Sequence, residues 1–97
     1  MSGLVLHPGH DELHGVTVVI AGVSGRTYLG RWHERGARGI TMKDVAIHDP
    51  ARNSLTVHDW LANQDKFGVA VTEKSMVVPT AEARDVRVFR EAIPGSP

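Results

Sequence analysis

Cysteine is absent from the chain. No disulfide and no thiolate-bound zinc can therefore reinforce the core, and a domain of 97 residues has a thin one. A disulfide-stapled secreted module does not fit. Net charge is also absent: eleven basic and eleven acidic residues cancel. That argues against a polyanion binder working by bulk charge. No apolar run approaches the ~20 residues that span a bilayer, so no membrane partner is expected. Met1 to Leu13 holds neither Lys nor Arg and no long apolar core, so no signal peptide is expected and the cytoplasm is the expected location. Aromatic residues are few, at 5%.

What charge there is lies unevenly. No basic residue precedes Arg26. Arg26, Arg31, Arg35, Arg38 and Lys43 then follow closely, opposed only by Glu34, and Arg84, Arg87 and Arg90 form a second group near Glu82, Asp85 and Glu91. Local patches are thus compatible with a neutral total.

The chain divides into an N-terminal arm (1–14), a β domain (15–91) interrupted by a loop and helix (49–66), and a tail (92–97) expected to be disordered. Val16 to Ala21 is a β-branched run and predicts a strand. Gly22-Val23-Ser24-Gly25 predicts a turn. Arg26 to His33 alternates, with Tyr28, Gly30 and Trp32 on one face, expected to be the core, and Thr27, Leu29 and Arg31 on the other. Glu34 to Gly39 predicts a second turn and Ile40 to His48 a third strand. The apolar phase of that strand slips at Asp44, which predicts a bulge or sharp bend.

Thr56 with Asp59 three residues on predicts a helix start, and the helix is expected to end near Asn63. Its Trp60 and Leu61 are expected to cap one end of a barrel. Gly68–Glu73 and Ser75–Val78 predict a hairpin around Glu73-Lys74, stopped by Pro79, which lacks an amide donor. One helical turn at Thr80–Glu82 and a strand over Arg84–Phe89 complete the reading. The fold class is therefore mainly all-β: a small, strongly bent five-stranded barrel with one short inserted helix.

The residues Gly15, Val18, Ile20, Gly25, Tyr28, Gly30 and Trp32 stand at the spacing of the first Sm motif, and this stretch resembles the Sm, archaeal Sm-like and Hfq proteins. Ile40 to Val45 is similar to the third Sm strand, and Met76 to Val86 to the closing strand, short turn and final strand. The resemblance covers about two-thirds of the chain. It implies an Sm-like or SH3-like barrel that joins copies of itself edge to edge into a ring, with Val77 and Phe89 as edge contacts. Ring closure removes exposed strand edges, which are otherwise a liability. The RNA-contacting residues of the family are not retained. Its base-pocket Asp and Asn fall near Arg35 or Gly36 and at Gly39, its Arg-Gly or Lys-Gly pair is Val78-Pro79, and the Tyr-Lys-His of Hfq is Thr72-Glu73-Lys74.

Three chemistries follow for testing. Basic and aromatic residues on a small barrel bind single-stranded RNA by charge and stacking. Tyr28 and Trp32 are assigned to the core, so Arg35, Arg38 and Lys43 are the candidate contacts. A protein partner is the competing expectation, with Trp60 and Leu61 of the insertion as its contacts. Metal is the third: His7, His10 and His14, with Asp11 and Glu12, have side chains that suit zinc or nickel, but an arm without a supporting frame fits a solvated segment better. No cofactor is implied. No enzyme is expected either, because nothing ties a His to Ser24 or Ser54, and Gly22–Gly25 lacks the Lys of a phosphate loop.

Overall fold

The structure, a computed structural model, describes residues 13–92. Five strands form one antiparallel sheet: β1 (Thr17–Gly22), β2 (Thr27–Gly36), β3 (Gly39–His48), β4 (Glu73–Pro79) and β5 (Ala83–Val88). Helix α1 (Val57–Phe67) lies between β3 and β4, and the short α2 (Phe89–Ala92) follows β5. The strand order is β4-β3-β2-β1-β5. The mainly-β expectation holds.

The expected turn at Glu34–Gly39 is much shorter. β2 and β3 run on until Gly36 faces Gly39, which leaves a two-residue connection, Ala37-Arg38. Two-residue connections match the right-handed twist of paired strands, so the ladder extends as far as the chain allows. Gly39 has φ +146, and a side chain there would run into the Val78 carbonyl on β4. The bend at Asp44 is present. Its φ is +51, and the register steps from Leu29↔Ala46 to Arg31↔Lys43. Gly30 faces this bulge, where a Cβ would lie 2.9 Å from the Lys43 carbonyl. The β2–β3 ladder shifts again between Trp32 and Glu34. Bulges sharpen local twist, which lets so small a sheet curl around its own side chains.

Both faces of the sheet are covered. On one, Val18, Ile20, Tyr28, Trp32, Ile40, Met42, Val45 and Val78 form a core from strand residues alone. On the other, Val19, Leu29 and Ala46 pack against Trp60 and Leu61 of α1, with Phe89 and Ala92 at the margin. Trp60 and Leu61 thus cover a sheet face rather than a barrel end.

Thr56 caps α1 as expected, its hydroxyl accepting from the Asp59 amide at 3.1 Å. The helix runs past Asn63 to Phe67. Asn63 to Lys66 carries no apolar signal, but Gln64 is buried and its carbonyl oxygen accepts from the Ala70 amide at 2.8 Å. The expected hairpin around Glu73-Lys74 does not form. The Thr72 amide donates to the Val45 carbonyl at 2.8 Å, which continues the β3–β4 ladder and makes residues 73–79 one strand.

Pro79 ends β4, and the Glu82 amide closes the following turn on the Pro79 carbonyl at 2.9 Å. β5 then pairs with β1, from Gly22↔Ala83 to Val18↔Val88. β5 pairs with β1 and not with β4, so among the described residues the sheet is open and no hydrogen-bonded barrel closes. The strand expected to reach Phe89 stops at Val88. Phe89 opens α2 and packs toward Trp60 and Leu61.

Candidate functional site

The structure redistributes the three candidate RNA contacts. Arg35, near the end of β2, lines a groove of about 300 Å³ with Ile40, Thr80, Ala83, Arg84, Asp85 and Val86. Arg38 is beside it, in the two-residue turn, and its carbonyl accepts from the Thr80 amide at 3.2 Å. Lys43 is elsewhere. It is paired with Arg31 on one side and Ser75 on the other, and its ammonium donates to the Ser75 hydroxyl at 3.2 Å. The groove is therefore lined by Arg35 and Arg84, with Arg38 in the adjoining turn. The place of Arg84 opposite Arg35 depends on the crossing turn 80–82, a long-range feature with no local signal. Its neighbour Asp85 is paired with Arg87 at 2.9 Å.

The partner-binding expectation for Trp60 and Leu61 is corrected, since each is 5% exposed and belongs to the protein's own core. Val77, an expected oligomer edge, is 42% exposed on the outermost strand β4. Phe89, the other, is half-buried on α2 and is not on a strand edge.

His7 and His10 lie outside the described residues. His14 packs its ring 5.2 Å from that of His33, and its Nδ1–H donates to the His33 carbonyl at 2.7 Å. Among the described residues no three His, Asp or Glu side chains gather in a metal-binding group. Nor do His48 and Asp49 share a site. His48 is buried, donating from Nε2 to the Leu55 carbonyl at 2.7 Å, whereas Asp49 turns outward to Arg26.

A polar cluster that sequence reasoning missed ties two turns together. Glu82 accepts from the Ser24 hydroxyl, from the Ser24 amide at 3.0 Å and from the Tyr28 hydroxyl at 2.8 Å. The Ser24 hydroxyl, then the Tyr28 hydroxyl, hold the Glu82 carboxyl below its ordinary range. Burial, then Glu82, pushes the Tyr28 phenol up. The Ser24 oxygen faces a carboxylate, so this group latches the β1–β2 turn to the β4–β5 turn.

A second groove, of about 570 Å³, is lined by Arg26, Tyr28, Ile47, Asp49, Arg52, Asn53 and Met76. It shares no lining residue with the Arg35–Arg84 cleft. Among the described residues no helix is long and apolar enough to cross a membrane. The chain matches no protein-family model, and comparison with curated proteins finds no significant match.

Proposed function

We propose that the chain is a non-catalytic, Sm-like module that associates with copies of itself through β4 and β5 and binds single-stranded RNA in the Arg35–Arg84 cleft beside Arg38. The strand order carries this reading. It leaves β4 and β5 at opposite ends of one open antiparallel sheet, each with an outer edge facing no strand among the described residues. An unpaired edge invites a further strand, and β4 of one copy against β5 of the next gives a head-to-tail contact that closes as a ring. Val77, half-exposed on β4, supplies an apolar contact there. The guanidiniums of Arg35 and Arg84, with Arg38 in the adjoining turn, supply the charge that tracks a phosphate backbone.

Light scattering after size exclusion tests the assembly. A mass of about five to seven protomers is expected for a closed ring. A monomer at every concentration would overturn it. Titration with short single-stranded RNA at two salt concentrations tests the cleft. Affinity should fall at the higher salt and drop about tenfold or more in the double variant Arg35→Ala/Arg84→Ala. Unchanged affinity in that variant would remove the cleft from the reading.

A protein-interaction module is the second reading. It is favoured by Leu55, Phe67 and Val71, which leave apolar surface exposed on and after the insertion, with Phe67 75% exposed. A monomer that ignores RNA would favour it over the first.

A further inference from the structure

The second groove is built by the loop that follows β3. Asp49 organises that loop. Its carboxylate accepts from the Ala51 amide at 3.0 Å, and its carbonyl accepts from the amides of Arg52 and Asn53, both at 2.9 Å. The same carboxylate receives the Arg26 Nε–H at 3.4 Å. Asp49 is thus engaged from both sides. The Ala51 amide, with Arg26 and Arg52, holds its carboxyl below the ordinary range, so it stays ionised and keeps the loop folded at neutral pH.

The loop presents donors. Arg26 lines the groove with its Nε on Asp49 and its guanidinium also against the Tyr28 hydroxyl, so it is held in place there as a cation already facing one carboxylate. Arg52 stands on the same rim, exposed. Asn53 uses its carbonyl oxygen on the Leu55 amide at 2.9 Å, so its NH₂ is the part left for a ligand. The same groove is lined by Ile47 and Met76, apolar side chains packed against the strand-built core, beside Tyr28. Polar donors beside apolar side chains in a concavity of this size are the composition of a small-molecule site. Paired guanidiniums select a phosphate or carboxylate. A thioether and an aliphatic side chain select the flat face of a ring.

We infer that this groove binds a small planar anion, an aromatic ring bearing a phosphate, with the ring on Ile47 and Met76 and the phosphate between Arg26 and Arg52. The inference requires neither self-association nor the RNA cleft. The two grooves sit at opposite ends of the β2–β3 ladder by register: Arg26 and Asp49 beside Thr27↔His48, Arg35 beside Gly36↔Gly39.

The test is a titration of the ¹⁵N-labelled full chain, followed by amide shifts. The probes are adenosine monophosphate, adenosine and inorganic phosphate. Adenosine monophosphate should give saturable shifts at residues 26, 47, 52 and 53, and bind more tightly than either fragment. Arg52→Ala, an exposed change that leaves the spectrum otherwise intact, should weaken it about tenfold. Arg35→Ala/Arg84→Ala should leave it unchanged. The proposal fails if the nucleotide gives no saturable shift, or if inorganic phosphate binds equally well, since Ile47 and Met76 would then take no part. Loss of binding in Arg35→Ala/Arg84→Ala with retention in Arg52→Ala would place the ligand in the other cleft and would also overturn it.

Discussion

The two faces of the sheet are filled by different means. One is packed mainly by strand side chains, Trp32 among them at 2% exposure, with Leu13 and Val16 from before β1 at its margin. The other has Val19, Leu29 and Ala46 from the sheet but borrows Trp60 and Leu61 from the insertion between β3 and β4. A small sheet that curls can bury one face by itself. The other face is not closed by the strands, so its apolar residues need a cover from outside the sheet. The inserted helix is that cover, and it belongs to the core as fully as the strands do.

Four substitutions probe that contrast. Trp32→Ala should be the most damaging, at about 4–5 kcal/mol, because the strand-built core has no mobile element to collapse into the cavity. Denaturant unfolding would measure it, and a loss below ~2 kcal/mol would contradict the packing described. Trp60→Ala should cost about 3 kcal/mol, with helix and sheet closing part of the gap. Hydrogen exchange should then rise first in α1 while amides of β1 to β3 stay protected, since local opening precedes global unfolding. Equal loss of protection in the strands would show that the two faces unfold as one.

Thr56→Ala removes the helix cap and should cost about 1 kcal/mol, read as a lower melting temperature. Glu82→Gln addresses the strand-built side through pH. The Glu82 carboxyl titrates lower in the folded state than its ordinary value of 4.5. Its contribution is therefore present above that value and is lost as pH falls through the lower, folded one. The native chain should lose stability on acidification below about pH 4.5, and the Gln variant should show a flatter acid limb. Superimposable acid limbs would remove Glu82 from the latch.

Much of the strand-built side was legible in the sequence, because local pattern dictates it. The β-branched run Val16 to Ala21 and the alternation around Tyr28 and Trp32 each read directly as strand, and the phase slip at Asp44 marked the bulge. The cap of α1 was equally local. Features decided by long-range pairing were not legible. Glu73 and Lys74 look like a turn until the bond from the Thr72 amide to the Val45 carbonyl enrols them in β4. Trp60 looked available to a partner because no sequence signal says that Leu29, itself alternating away from the first core, must be covered. The sites followed the same rule. Arg35 was singled out on charge alone, whereas Arg84 comes to line the same groove only through the turn 80–82. Arg26 and Arg52 come to line one groove only through the fold of the Asp49 loop.

The excursion through residues 49–72 leaves from β3 and returns to the same ladder, entering β4 at the pair Val45↔Glu73. Its two ends are therefore held close by the sheet itself. Closing such a loop costs entropy that grows only logarithmically, about 0.6 kcal/mol for each doubling of length. Length in this region is thus nearly neutral for folding, provided that something apolar still lands on Val19, Leu29 and Ala46. The segment should therefore take added length without altering the strand register on either side, so long as Trp60 and Leu61 still cover Val19, Leu29 and Ala46.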